Sequence, residues 1–170
     1  IGLVKRMFVV RFKDLDKWQV PRKGLIPETL PKGWKVACVG DFVRQVTDRV
    51  RVEPSKQYKM LGVRWYGEGV FLRETVQGDS MSAAWVTPAT PGAFIYNRLF
   101  AWKESFAVVP SELSGCFVSN EFPQFIMDES QVSADYLDLL LRLRSVISAV
   151  NAASAGSAAV SRNRFKEVEF

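Results

Sequence analysis

This chain of 170 residues has the size of one ordinary globular domain and contains no histidine. It is 48% hydrophobic, which is enough to bury a core without disulfide bonds or structural metals. Lysine and arginine number 23 against 18 aspartates and glutamates, so the formal charge of +5 favours an anionic partner. Without histidine, catalysis by a histidine base, a Ser-His-Asp triad or a histidine-bound metal is excluded.

The two cysteines and the hydropathy pattern bear on the compartment. Cys38 and Cys116 lie in hydrophobic, strand-like surroundings, where thiols are usually inert core residues. A disulfide between them stays open, but two cysteines without a Cys-x-x-Cys pair are too few ligands for zinc. No apolar run reaches about eighteen residues and no signal peptide is visible. We therefore expect a cytoplasmic protein with no membrane partner and no cofactor, and, since it begins at Ile1, a preceding N-terminal piece.

Residues 1 to 24 predict a basic strand and loop that lead into the domain. They carry seven lysines or arginines against two aspartates, alternate around residues 8 to 12, and end in a breaker region at 21 to 24. Two interpretations stay open for this segment. It is either an edge strand whose lysines discourage aggregation or a strand that faces phosphates.

Residues 30 to 127 predict mostly strands with short loops. The segment "LPKGWKVACVGDFV" indicates a turn and a strand, and "YKMLGVRWYGEGVFLRE" indicates two strands joined near residues 67 to 69. The glycines there suit a tight reversal that needs positive φ. Prolines and a glycine at 88 to 92 exclude a helix before a strand at 93 to 96. The run "LFAWKESFAVVP" predicts a hairpin of two strand-like segments with a polar tip at residues 103 to 105.

One segment near the end has the spacing of a helix. In "SADYLDLLLRLRSVISAVNAAS", Ser133 is a suitable cap, acids occupy the first turn and Gly156 lies beyond the end. The apolar residues of one face are Tyr136, Leu137, Leu140, Leu141, Ile147 and Val150. Because this face needs a sheet to cover, we predict an α+β fold: a twisted, largely antiparallel sheet with one main helix packed on it. Further on, Ser161 can cap a short final helix or turn.

The sequence lacks the motifs of the common enzymes. It has no glycine-rich phosphate loop, no Asn-Pro-Pro-aromatic methylation motif and no nucleophile elbow. The carboxylate pairs Asp135 with Asp138 and Glu167 with Glu169 have the placement of ordinary solvated side chains. We therefore expect a non-catalytic protein.

Basic side chains next to turns and aromatic residues are the candidates for function. Arginine can bond guanine in bidentate fashion, asparagine can read adenine, and lysine can anchor phosphate. The candidate DNA-binding residues are Arg64, Arg73, Arg98, Lys103, Arg162, Asn163 and Arg164. Solvated surface arginines without a function remain the alternative. We expect the aromatic neighbours to be core or strand-pair residues rather than base-stacking platforms.

Several longer stretches point to a family. The chain contains, in this order, "LPKGWKVACVGDFV", "YKMLGVRWYGEGVFLRE", "GAFIYNRLFAWKESFAVVP", "GCFVSNEFPQFIMD", "YLDLLLRL" and "GSAAVSRNRFKEVEF". Together they resemble the target recognition domain of type I restriction-modification specificity subunits. The similarity runs from about Leu30 to Phe170, and "LFAWKESFAVV" followed by "VSNEFPQF" is its most specific part.

The resemblance implies a non-catalytic subunit that reads one half of a bipartite site in double-stranded DNA. In that family, adenine methyltransferase subunits use S-adenosylmethionine, and restriction subunits translocate and cleave DNA with ATP. Here residues 25 to 170 would form a single recognition domain that ends where a spacer helix is expected to start. The chain would be a fragment, or a half-size subunit that pairs with a second copy of itself.

The resemblance also suggests roles for the two parts of the specific stretch. Lys103 at the tip and Arg98 would lie on the loop edge that approaches DNA, and "VSNEFPQF" would be a structural turn.

Two other functions remain as alternatives. The first is an assembly module whose basic loops bind an acidic protein while the late helix docks on a helical bundle. The second is a nuclease or methyltransferase accessory, which the missing motifs disfavour.

Overall fold

The computed structural model describes residues 8–11, 35–153 and 164–165. Within these ranges the chain forms eleven strands and two α-helices, and no helix there is long and apolar enough to cross a bilayer. The strands are β1 (Phe8–Arg11), β2 (Lys35–Cys38), β3 (Val43–Gln45), β4 (Val50–Arg51), β5 (Gln57–Val63), β6 (Val70–Gln77), β7 (Trp85–Pro88), β8 (Phe94–Tyr96), β9 (Phe106–Val108), β10 (Phe117–Val118) and β11 (Gln124–Met127). The helices are α1 (Ala134–Leu141) and α2 (Arg144–Ala153). The predicted turn or helix after Ser161 and the Glu167–Glu169 pair lie outside the described residues.

The strands form sheets in which antiparallel pairing dominates, so the predicted α+β class is confirmed. In the described residues, a five-stranded sheet has the order β4-β7-β10-β5-β6 and a four-stranded sheet has the order β3-β11-β8-β9. Strands β1 and β2 form a separate parallel pair, and β10 runs parallel to β5. The two strands predicted around residues 67 to 69 are the antiparallel pair β5 and β6, and Gly67 and Gly69 both have positive φ as expected.

The four-stranded sheet lies between the helices and the five-stranded sheet. Phe94 and Tyr96 of β8 belong to one core cluster with the buried helix residues Leu137 and Leu141, while Ile95 belongs to a second cluster with residues of β5. Because successive side chains of a strand point to opposite faces, β8 serves both layers. This explains why the three residues of β8 are all buried and apolar.

The helix predicted near the end is confirmed, with a break in its middle. Ser133 caps α1 as expected, because its hydroxyl accepts a hydrogen bond from the amide of Tyr136 at 3.1 Å. At the break, the amides of Arg142 and Leu143 donate to the carbonyls three residues earlier, which tightens the last turn of α1. The apolar spacing continues across the break, so Val146 and Val150 of α2 are buried in the same cluster.

The prediction for "LFAWKESFAVVP" was only partly right. Its second half contains β9, but its first half is no strand: residues 101 to 103 form a short 3₁₀ turn. The strand that pairs with β9 is β8, just before this run. A local hydrogen bond accounts for the difference, because the Asn97 side-chain oxygen accepts from the amide of Leu99 at 3.0 Å and bends the chain away from the sheet.

The two sheets are also joined by buried polar side chains. Gln124 on β11, which is 1% exposed, donates to the Pro88 carbonyl at 2.9 Å and accepts from the Thr90 amide at 2.8 Å. The buried Ser105 hydroxyl donates to the carbonyl of Val63 on β5 at 2.9 Å. The sequence had predicted that Ser105 is part of a polar tip, but the structure buries its side chain. Both contacts provide hydrogen-bond partners for backbone groups inside the domain.

We expect Gln124→Met to destabilise the domain by about 1–3 kcal/mol, since a similar volume is kept while the Thr90 amide loses its buried acceptor. Urea denaturation followed by circular dichroism measures this free energy of unfolding. The matched control is Gln57→Met, because Gln57 is exposed and its replacement should change stability by less than about 0.5 kcal/mol. Equal stability of the two variants would show that the Gln124 contacts contribute nothing.

Candidate nucleic-acid interface

The connection between β8 and β9, residues 97 to 105, carries two of the predicted site residues and is called the β8–β9 loop here. Arg98 lies at its start and Lys103 lies in its 3₁₀ turn, and both side chains are half-buried. The loop is held to the ends of β8 and β9, because the Asn97 amide donates to the Ser105 carbonyl at 3.0 Å. Both cations therefore project from a fixed base, as binding residues on loops usually do.

Lys103 lies among aromatic rings. Its ammonium group is 3.5 Å from the ring centroid of Trp65, 5.0 Å from that of Trp102 and 6.0 Å from that of Phe100. A cation over aromatic faces is attracted by their quadrupoles, and such contacts contribute about 0.5–1 kcal/mol at exposed sites. The ammonium group of Lys103, which is half-buried, thus contacts the Trp65 ring most closely.

The turn between β5 and β6, residues 64 to 69, is fastened to the β8–β9 loop and is called the β5–β6 turn here. The amide of Tyr66 donates to the carbonyl of Lys103 at 2.8 Å, and that of Gly67 donates to the carbonyl of Glu104 at 2.9 Å. Tyr66 and Glu104 both have positive φ, at 55° and 56°. Bulky residues seldom adopt this conformation, so the paired turns hold each other in an unusual geometry.

Arg142 at the end of α1 fixes the same turn from the other side. Its guanidinium donates to the Gly67 carbonyl at 3.1 Å and to the Asp138 carboxylate at 3.0 Å. A side chain at position 67 would displace this guanidinium, and the positive φ of Gly67 favours glycine there. Asp138 was expected to be solvated, but it is partly buried; burial raises the pKa of its carboxyl group, and the Arg142 charge opposes that rise.

Arg98 and Arg164 come together around Glu121. The Arg98 amide donates to the Glu121 carbonyl at 3.0 Å, and the Arg164 guanidinium is 3.2 Å from the Glu121 carboxylate. The Phe165 amide then donates to the Arg98 carbonyl at 3.0 Å, which fastens the end of the described chain to the start of the β8–β9 loop. The Tyr96 hydroxyl donates to the carbonyl of the same Phe165 at 3.3 Å. Burial raises the pKa of Tyr96, and the Arg98 charge opposes that rise.

Arg98 also lines a polar cleft of about 200 Å³ between the strand ends. The residues that can form hydrogen bonds from its wall include Gln45, Thr47, Arg49, Arg98, Ser119 and Asn120. They come from the end of β3 and the segment after it, the β8–β9 loop and the turn between β10 and β11. The cleft therefore combines guanidinium, amide and hydroxyl groups, which are the groups that contact phosphates and base edges.

The sequence analysis missed Arg49 and assigned Asn120 only to a turn. Arg49 has no aromatic neighbour in the chain, so selection by adjacent aromatics passed over it. The turn of residues 119 to 123 does have the structural role expected of it: the Phe122 amide donates to the Ser119 carbonyl, and Phe122 is buried. Asn120 in the same turn is nevertheless exposed on the cleft.

The remaining candidates divide between two places. Arg64 is exposed on the β5–β6 turn, and its guanidinium carbon lies 4.6 Å from the ring centroid of Phe71. Arg73 occupies the extra position of a β-bulge on β6 and is paired with Glu74. Arg162 and Asn163 lie outside the described residues. Arg64 and Lys103 thus form one group and Arg98 and Arg164 another, with the β8–β9 loop joining them, while Arg73 lies outside the cleft lining.

The aromatic residues also differ from expectation. Tyr96 is fully buried, as predicted for a core residue, but Trp65 and Tyr66 are 41% and 63% exposed.

Cys116 is a buried free thiol, which agrees with an inert core cysteine. Among the residues that the structure describes, no three cysteine or carboxylate side chains are grouped so that they could hold a metal ion.

Neither a scan against protein-family models nor a search of the curated proteins finds a match to this chain.

We expect Arg142→Ala to loosen the β5–β6 turn while leaving the fold intact. Removal of the guanidinium takes away the bond to Gly67, so the amides of Tyr66 and Gly67 should exchange their hydrogens roughly tenfold faster. Hydrogen exchange followed by NMR measures these two amides directly. Arg144→Ala, at an exposed position two residues later, is the matched control. Equal rates in both variants would mean that Arg142 does not hold the turn.

Proposed function

We propose that this chain binds double-stranded DNA sequence-specifically and acts as the target-recognition component of a type I restriction-modification system, reading one half of a bipartite site. The observation that carries the proposal is the polar cleft beside the β8–β9 loop. Arg49, Arg98 and Asn120 all line this cleft, although they are far apart in sequence. The excess of basic over acidic residues in the chain supports the same conclusion.

The chemistry of the cleft suits both parts of DNA recognition. Arg49 is exposed and can neutralise a phosphate, which supplies affinity that any sequence would share. Asn120 is also exposed, and its amide can pair with adenine in the major groove. Arg98 is half-buried, so its guanidinium loses less freedom when it binds. On this proposal Arg49 positions the duplex through a phosphate, while Asn120 and Arg98 discriminate between bases.

On this proposal the chain is non-catalytic and cytoplasmic, and the chemistry belongs to partner subunits. The sequence resemblance supports adenine methyltransferase subunits and restriction subunits as those partners. A single recognition domain would read only half a site, so a second recognition domain, or a second copy of this chain, would have to read the other half.

A second candidate function is a protein-assembly module whose basic loops bind an acidic protein. The observation that favours it is the exposed apolar surface of the helical region, where Leu139 and Leu143 are 65% and 50% exposed. Leu139 lies in the last turn of α1, and Leu143 lies in the break between α1 and α2. An assembly module would bind its partner in a salt-sensitive way and would show no preference among DNA sequences.

Selection from a pool of random duplexes tests the main proposal. We expect the chain to enrich one short motif, and its affinity for that motif should fall by roughly a thousandfold between 50 and 200 mM salt if about six phosphates are neutralised. Fluorescence anisotropy over a salt series measures the slope. A pool that stays unenriched, together with binding that does not respond to salt, would rule out the proposal.

Replacement of individual cleft residues should separate affinity from specificity. Arg49→Ala should weaken binding to all duplexes and lower the salt slope by about one, because a phosphate contact is lost. Asn120→Ala should cost about 1–3 kcal/mol for the selected motif and relax the preference at one base pair. Arg73→Ala is the charge-matched control, since Arg73 is ion-paired with Glu74 outside the cleft lining. If Arg73→Ala weakens binding as much as Arg49→Ala, the cleft is not the interface.

A further inference from the structure

Tyr66 is a large aromatic side chain left in solvent at the tip of the β5–β6 turn. It is 63% exposed, the highest value among the aromatic residues whose exposure the structure describes. Within the described part of the chain, its ring makes no ring–ring or cation–π contact and its hydroxyl has no hydrogen-bond partner. Neither packing within the domain nor a polar contact therefore explains a tyrosine at this position.

The backbone that carries Tyr66 is fixed on both sides. Its own amide is bonded to Lys103, the next amide is bonded to Glu104, and the following carbonyl accepts from Arg142. Its φ of 55° is unfavourable for a tyrosine and is retained because these contacts hold it. The ring is consequently carried by a fixed backbone, so little backbone freedom is lost when it binds a planar partner.

The residues around Tyr66 suit a ligand that is both anionic and aromatic. Trp65, the preceding residue, is 41% exposed and carries the Lys103 ammonium on its face. Arg64, which precedes Trp65, is exposed. Two cations beside two exposed rings are the combination that proteins use where a nucleobase stacks and its phosphates are neutralised. An apolar protein surface would match the rings but would place no negative charge opposite the two cations, which contact only aromatic faces within the described residues.

We propose that Tyr66 stacks on a nucleobase that has left the regular stack of the bound duplex, with Arg64 and Lys103 facing its flanking phosphates. The inference rests on the proposed DNA-binding function and assigns a second contact to it, separate from the polar cleft. The β5–β6 turn then engages a locally opened step, while the cleft reads bases that stay paired.

Duplexes opened at one step test this contact. The ligand is the motif selected from the random pool, prepared as a matched duplex and as a series with one mismatched pair at each position in turn. Mismatches lower the cost of unstacking a base, so a protein that stacks on it binds the opened duplex more tightly. We expect at least one position where the mismatch strengthens binding by the full chain about fivefold or more.

Tyr66→Gly removes the ring and suits the local backbone, because glycine adopts positive φ freely. This variant should fold, should still bind the matched duplex, and should lose the preference for the opened one. For that duplex the loss should be roughly 5- to 150-fold in affinity. Tyr66→Phe keeps the ring and should keep the preference. Glu104→Asp is the matched control, because it alters the facing residue of positive φ while its charge is retained.

The ratio of the two affinities separates this inference from the proposed function. If the wild-type chain enriches no motif, both fail. If it binds a motif but no mismatch strengthens binding, or if Tyr66→Gly keeps the preference, the stacking contact is wrong and the DNA-binding proposal stands. A loss of preference in Glu104→Asp as large as in Tyr66→Gly would also overturn the inference, since the effect would then come from the turn.

The acidic residue of the same turn provides a test of opposite sign. Glu68 is exposed two residues after Tyr66 and would repel phosphates near the ring. Glu68→Gln should therefore tighten binding to the opened duplex by a few fold, more at low salt than at high salt. No change at any salt concentration would place the phosphates away from this turn and would contradict the proposal.

Discussion

The burial of β8 on both faces is the constraint on which the rest of the structure depends. Phe94 and Tyr96 pack towards the helices and Ile95 packs towards the five-stranded sheet, so one three-residue strand holds three layers together. Since a shift of register by one residue would exchange these faces, the position of β8 is strongly determined. The β8–β9 loop starts at the end of this strand, so the position of β8 also determines where Arg98 and Lys103 lie.

The candidate interface is assembled by backbone hydrogen bonds between loops. The carbonyls of Lys103 and Glu104 accept from the β5–β6 turn, and that of Arg98 accepts from Phe165 near the end of the chain. Segments 37 and 67 residues away in the chain are thereby brought to one loop. Such contacts do not depend on side-chain identity, so the charged residues on these loops can change without loss of the framework.

The division of cations into two groups suggests a division of labour in the proposed DNA binding. Arg98 and Arg49 belong to a cleft rich in groups that form directional hydrogen bonds, whereas Lys103 and Arg64 accompany exposed rings. Hydrogen bonds to base edges provide discrimination, while stacking and charge provide affinity that tolerates many sequences. Arg73, paired with Glu74 at a bulge, fits neither group and is better explained by protection of an edge strand.

Local patterns in the sequence determined the fold class, the β5–β6 reversal at its glycines, the Ser133 cap and the apolar face of the helical region, because each depends on neighbours within a few residues. They could not show that residues 101 to 103 form a turn rather than a strand, since the bond from Leu99 to Asn97 competes with sheet pairing there. Which side chains share a surface was decided only by tertiary packing. Arg49, Asn120 and Arg98 meet in one cleft, and Tyr66 stands in solvent, because long-range contacts position their loops, and such contacts leave no periodic signal in the sequence.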